Sequence, residues 1–164
     1  MKFLVCFPLI LFFLIGNPGV RCIFAQQVSG EDTILKEVFP QAAKFIPVRS
    51  KEVILYYKAY SQGGRLLGAV FKAAQKGYSG EIETLAGVEK DGTITAIKVL
   101  SNNETPGSGS RVSEPAFTDQ FKRRGIGSLD TVEAVTGATI SSKAVVDSVK
   151  KKAEEIIVLI KDQK

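Results

Sequence analysis

The segment EIETLAGVEKDGTITAIKVLSN, residues 81–102, constrains this chain more than any other. Apolar and polar residues alternate on both sides of Lys90-Asp91-Gly92, the period of two that sends successive side chains to opposite faces of a strand. Asp-Gly suits the tight turn of a hairpin, where the backbone needs positive φ. The chain is thereby committed to an antiparallel sheet. Upstream, EVILYYKAYS is rich in β-branched and aromatic residues, QGG follows as a turn, and RLLGAVFKAAQKGYSG returns as a second strand ending in a glycine-rich loop.

Helices flank this meander. SGEDTILKEVFPQAAKFIPV reads as a helix capped by Ser29 or Asp32, with Ile34, Leu35, Val38 and Phe39 on one face, ending near Pro40. AFTDQFKRRG reads as a short helix with Phe117 and Phe121 on one side, and DTVEAV as a final strand. The last helix, capped by Ser141 or Ser142, carries Val145, Val146, Val149, Ala153, Ile156, Ile157 and Ile160 at helical spacing. Lys143, Asp147, Lys150 and Glu154 occupy its other face. The expectation is one α+β domain over residues 28–164, a mainly antiparallel sheet packed by an N-terminal and a long C-terminal helix.

Residues 1–25 differ in kind. Lys2 is followed by an apolar run from Phe3 to Ile15, then the breaker Asn17-Pro18-Gly19 and a small-residue cleavage point at Ala25-Gln26. This is the pattern of a signal peptide. A spanning helix wants about 20 apolar residues, more than this run offers, so an uncleaved membrane anchor is the alternative. Either way the domain works outside the cytoplasm, in the periplasm or on the outer face of the cytoplasmic membrane.

Histidine is absent, and both cysteines, Cys6 and Cys22, lie in the N-terminal segment. The domain therefore offers no histidine zinc site, no Ser-His-Asp triad, no haem-attachment motif and no cysteine-held cluster, and no metal site or catalytic side chain is expected. The net charge of +5 includes Lys2 and Arg21, too weak a bias to indicate nucleic acid. Lys122-Arg123-Arg124 and Lys150-Lys151-Lys152 read as solvated surface. The chemistry is left to oxygen groups, backbone amides or a borrowed cofactor.

Three loops are candidates for holding one. GYSG (residues 77–80) lacks the following helix of a dinucleotide motif, and ETPGSG (residues 104–109) lacks the Gly-Lys-Ser/Thr of a P-loop. TGAT (residues 136–139) sits at the mouth of the last helix, where unpaired N–H groups favour an anion. Gly137 lets backbone approach closely, Ala138 keeps bulk away, and the Thr139 hydroxyl falls where a phosphate would rest. Thr136 and Thr139 acting only as local caps is the competing reading.

EAVTGATISSKAV strongly resembles the flavin-attachment motif of the FMN-binding domain family, which includes the covalent-FMN subunits of Rnf and Nqr electron-transport complexes. The family pattern is Asp-x-x-Ser/Thr-Gly-Ala-Thr, whose last Thr receives the FMN phosphate from a separate flavin transferase. The resemblance implies Thr139 as acceptor, preceded by Ala138, Gly137 and Thr136, with Glu133 standing where the pattern has Asp and Ser141 just beyond. GYSGEIETLAGVEKDGTITAIKV resembles the family's Gly-Tyr-x-Gly segment and hairpin. NNETPGSG resembles its Glu-Thr-Pro-Gly-x-Gly loop, with Ser108 where an apolar residue is common. Glu104, Thr105, Gly107 and Tyr78 are thereby implied as flavin neighbours.

The resemblance implies an exported flavoprotein that relays electrons between redox partner proteins, within an Rnf/Nqr-like membrane complex or as a free carrier. FMN supplies the redox chemistry. A non-covalent FMN or phosphate-ligand module and an exported flavin-dependent reductase are the alternatives.

Overall fold

The structure is a computed structural model and describes residues 30–104 and 109–161. Six strands form one antiparallel sheet in sequential order: β1 (Lys44–Ser50), β2 (Val53–Tyr60), β3 (Leu66–Lys76), β4 (Glu81–Glu89), β5 (Thr93–Asn102) and β6 (Arg124–Gly125). The β4–β5 hairpin turns where the alternation places it, with Gly92 at φ 96°. The meander continues into β3, which pairs with β4 from Gly68↔Glu89 to Lys76↔Glu81.

A helix covers each face. On one side α1 (Gly30–Val38) and the following Phe39 pack Leu35, Val38 and Phe39 against Tyr57, Ala59, Val70 and Leu85. On the other, α3 (Thr139–Lys161) buries Val145, Val149, Ala153, Ile156 and Ile160 against Ala69, Phe71, Ile82, Ala86 and Val88. Alternate residues of β3 and β4 thus serve two cores, and the result is a single α+β domain. Each fully buried Phe or Ile contributes about 1.5–3 kcal/mol relative to exposure.

Phe39 lies against a floor of bare backbone. Gly68 on β3 and Gly87 on β4 both face α1, and a Cβ added at either would stand 3.0 Å and 3.1 Å from the Phe39 ring. Thr95 adds a hydrogen bond from its hydroxyl to the Val38 carbonyl, tying the helix end to β5.

Tyr57 ties the start of α1 to the sheet by donating its hydroxyl hydrogen bond to Glu31. Burial first, and then that bond and the Glu31 charge, push the Tyr57 pKa up to about 12 from 10.0. Because the folded value is raised, this stabilisation is complete below pH 10 and is lost as pH rises through 12, the unfolded chain releasing its proton first. Thermal midpoints measured from pH 8 to 12 are expected to fall more steeply for the natural chain than for Tyr57→Phe. Parallel curves would contradict the tie.

Thr84, on the α3 face of β4, is fully buried, and its hydroxyl has no partner among the described residues. An unpaired buried hydroxyl costs about 1–3 kcal/mol. Thr84→Val keeps the β-branched shape and is expected to raise the urea midpoint by the equivalent of about 1 kcal/mol; a lowered midpoint would show that the hydroxyl is satisfied in solution.

The structure corrects several expectations. AAKFIPV contributes β1, an edge strand whose Phe45 and Val48 reach opposite cores. Pro47 suits an edge, where one row of N–H groups needs no partner. DTVEAV is not a strand: residues Ile126–Thr131 form a 3₁₀ helix and residues 132–135 are irregular. The backbone of Glu133 is instead taken by the Gln120 side chain, which accepts from its N–H at 2.8 Å and donates to its carbonyl at 3.2 Å. The short helix is split into α2 (Pro115–Thr118) and a 3₁₀ turn (Asp119–Phe121), with Phe117 and Phe121 in edge-to-face contact. Asp32 lies within the first turn of α1 rather than capping it, favourable there for an acidic group. Ser29 and the N-terminal segment 1–25 lie outside the described residues.

Candidate functional site

Four segments meet at one end of the sheet. They are the β3–β4 turn, the residue pair following β5, the start of a 3₁₀ helix (Gly109–Ser113), and the first turn of α3. Between them is an open cavity of about 450 Å³ lined by Tyr78, Glu104, Gly109, Gly137, Ala138, Thr139, Ile140 and Ser141.

The helix mouth is built locally. Gly137 has φ 81°, a left-handed conformation that favours glycine. Ala138 donates to the Val135 carbonyl at 2.9 Å, closing a turn, and Ser142 N–H begins the helical ladder by donating to the Ala138 carbonyl at 2.8 Å. The N–H groups of Thr139, Ile140 and Ser141 therefore lie in the first turn, where a helix has no carbonyl of its own to offer them. The Ser142 hydroxyl accepts from the Val135 N–H at 3.0 Å and pins the approach loop. Ser141 and Ser142, expected as caps, thus lie inside the helix, which starts already at Thr139. Among the described residues, neither the Thr136 nor the Thr139 hydroxyl makes a hydrogen bond, so local capping does not account for them.

The opposite wall is polar within and apolar at the rim. Glu104 is only 8% exposed, and its carboxylate accepts from the Ser79 N–H at 3.3 Å on each oxygen. Tyr78 on this wall is 71% exposed, and Ile140 on the helix-mouth side is 57% exposed, both large apolar surfaces.

The fold brings together Tyr78, Glu104, Gly137, Ala138, Thr139 and Ser141. Thr136 and Glu133 are exposed and do not line the cavity. Thr105 and Gly107 lie outside the described residues. Ile140 escaped the sequence reading because it sits between two polar residues and breaks no pattern there. Gln120 gave no signal at all, since its bond to Glu133 spans thirteen residues.

A cavity of this volume is within the ordinary range for small organic ligands, about 300–1,000 Å³. Its lining combines first-turn N–H groups at the helix mouth with the exposed apolar surfaces of Tyr78 and Ile140. Such a lining suits a phosphorylated, partly apolar cofactor, and FMN has both parts.

A family model described as an FMN-binding domain matches residues 77–154. The chain is 38% identical over 136 residues to the G subunit of the ion-translocating oxidoreductase complex of Methanosarcina acetivorans, covering 74% of this chain and 72% of that one. It is 34% identical over 140 residues to the G subunit of the proton-translocating ferredoxin:NAD(+) oxidoreductase complex of Clostridium ljungdahlii, covering 80% and 74%. Among solved structures, NqrC of Shewanella oneidensis shares the fold, with a TM-score of 0.51 at 20% identity over 73% of each chain. The chain belongs to the FMN-binding domain family, and FMN is its cofactor.

Among the described residues, no helix is long and apolar enough to cross a membrane.

Proposed function

We propose that this chain is the FMN-carrying subunit of an ion-translocating electron-transport complex, and that it holds FMN covalently through a phosphoester to Thr139 outside the cytoplasm. The observation that carries the covalent reading is the Thr139 side chain, exposed at the mouth of the cavity, without a described partner, beside the first-turn amides of a 23-residue helix. Membership of a complex rests on the likeness to the two G subunits.

The residues divide the work. The N–H groups of Thr139, Ile140 and Ser141 and the positive end of α3 favour the phosphate charge. Gly137 and Ala138 keep side-chain bulk from the attachment point. Tyr78 and Ile140 offer apolar surface to the ring, and the open mouth leaves it within reach of a partner. FMN, when bound, supplies one- and two-electron redox chemistry that no side chain here provides. A tether suits an exported domain because cofactor lost outside the cell is lost by dilution.

The test is mass spectrometry of the full chain produced together with a flavin transferase. The expected result is an added FMN less one water, placed by fragmentation on Thr139 within the tryptic peptide of residues 125–143. An unmodified chain, obtained while a related flavoprotein is labelled under the same conditions, would overturn the covalent reading. Sequencing of the mature N-terminus tests export: a start near Gln26 indicates a cleaved signal, and a retained Met1 indicates the anchor.

A further inference from the structure

Glu104 is a charged side chain that two separate backbone segments have closed around. A Cβ at Gly77 would fall on its Oε1, and a Cβ at Gly109 would stand 2.8 Å from its Cβ and 2.9 Å from its Oε2. The β3–β4 turn and the 3₁₀ helix after β5 therefore approach the carboxylate as closely as backbone can. Among the described residues no cation pairs with it, and its donor is the single Ser79 N–H shared between both oxygens at 3.3 Å.

A carboxylate can accept about four hydrogen bonds, and among the described residues one long, shared donor leaves most of that capacity unused. Burying an ionised group without partners is costly. Glu104 also lines the cavity, together with Thr139. FMN carries donors in two places, the ring imide N–H and the ribityl hydroxyls. Its phosphate is anionic, would be repelled by Glu104, and belongs at the helix mouth. The two ends of the cavity thus sort the two ends of the cofactor.

Resting on the FMN reading of this site, we propose that the buried Glu104 carboxylate accepts a hydrogen bond from the donor-bearing part of FMN and, by its fixed negative charge, lowers the flavin's reduction potential. Electrons entering the ring add negative charge beside an existing one in a poorly screened environment, so the reduced form is disfavoured. This makes Glu104 a determinant of the potential and not only a wall of the cavity.

The experiment is a redox titration of the FMN-loaded full chain, natural and Glu104→Gln, with loading checked by mass. The amide keeps the shape and removes the charge. Its midpoint is expected to move positive by about 30 mV, which is a tenfold change in the relative hold on reduced and oxidised flavin for a two-electron couple. Glu104→Asp keeps a charge and is expected to remain nearer the natural value, which a purely structural role would not produce. Glu104→Ala provides a second neutral side chain and is expected to shift in the same direction. Coincident midpoints in loaded natural and Glu104→Gln chains would overturn the proposal while leaving FMN binding intact. Failure of both neutral variants to hold FMN would overturn it too, making Glu104 a requirement for binding rather than a tuner of potential. A natural chain that takes up no FMN would remove the site reading and this inference together.

Discussion

Thr139→Ala, produced alongside a flavin transferase, is expected to yield a chain with no covalent flavin: no fluorescence after denaturing electrophoresis and no added mass. The loss is complete because an alanine has no oxygen to form the ester. Thr136→Ala is expected to retain labelling at a reduced level, since Thr136 is exposed and does not line the cavity. Stability separates a chemical loss from a folding one. Thr139 is exposed and its hydroxyl has no described partner, so the substitution is expected to change unfolding free energy by no more than about 0.5 kcal/mol. Equal labelling of Thr139→Ala and the natural chain would end the assignment.

Gly68→Ala is expected to have the largest effect on stability of any single methyl addition to the sheet. The new Cβ would fall on the Val88 carbonyl oxygen, 2.8 Å from Glu89 Cα and 3.0 Å from the Phe39 ring. Two of these three neighbours are backbone of a paired strand and cannot turn aside. Overpacking costs typically about 1–3 kcal/mol, and a backbone clash belongs at the upper end, about 3 kcal/mol. Gly63→Ala is the control: its Cβ meets only the Ser61 hydroxyl at 3.9 Å, so the urea midpoint is expected to stay near the natural one. Similar midpoints for the two variants would show that β3 and β4 part easily at this point.

Much of the fold is legible because it rests on local periods. The alternation through residues 81–102 specifies two strands and their turn, and the spacing from Val145 to Ile160 specifies the buried face of α3. The two errors in strands share a cause. The segment that forms β1 contains Pro47 and shows little alternation, yet β2 offers it a free edge. The DTVEAV segment has strand-like composition, yet pairing beyond β5 extends only over Arg124–Gly125, and Gln120 takes the Glu133 backbone. Whether a weak strand forms depends on the partner available to it, which composition does not encode.

The TGAT run was readable by itself only as a candidate anion site at the mouth of a helix; the proposed attachment at Thr139 comes from the family resemblance. Glu104 was readable as a motif member but not as a buried charge, since a glutamate in a Gly- and Ser-rich loop ordinarily lies in water.

What the sequence alone determined is the antiparallel hairpin, the amphipathic C-terminal helix and the placing of a threonine at that helix's start. Each depends on neighbours a few residues apart. What the tertiary structure decided is which of the remaining groups share that threonine's cavity: Tyr78 and Glu104 line it, while Glu133, only six residues from Thr139, does not. Distance along the chain is set by covalent bonds. Distance across the site is set by sheet register and by the two glycines that let two segments close around one carboxylate.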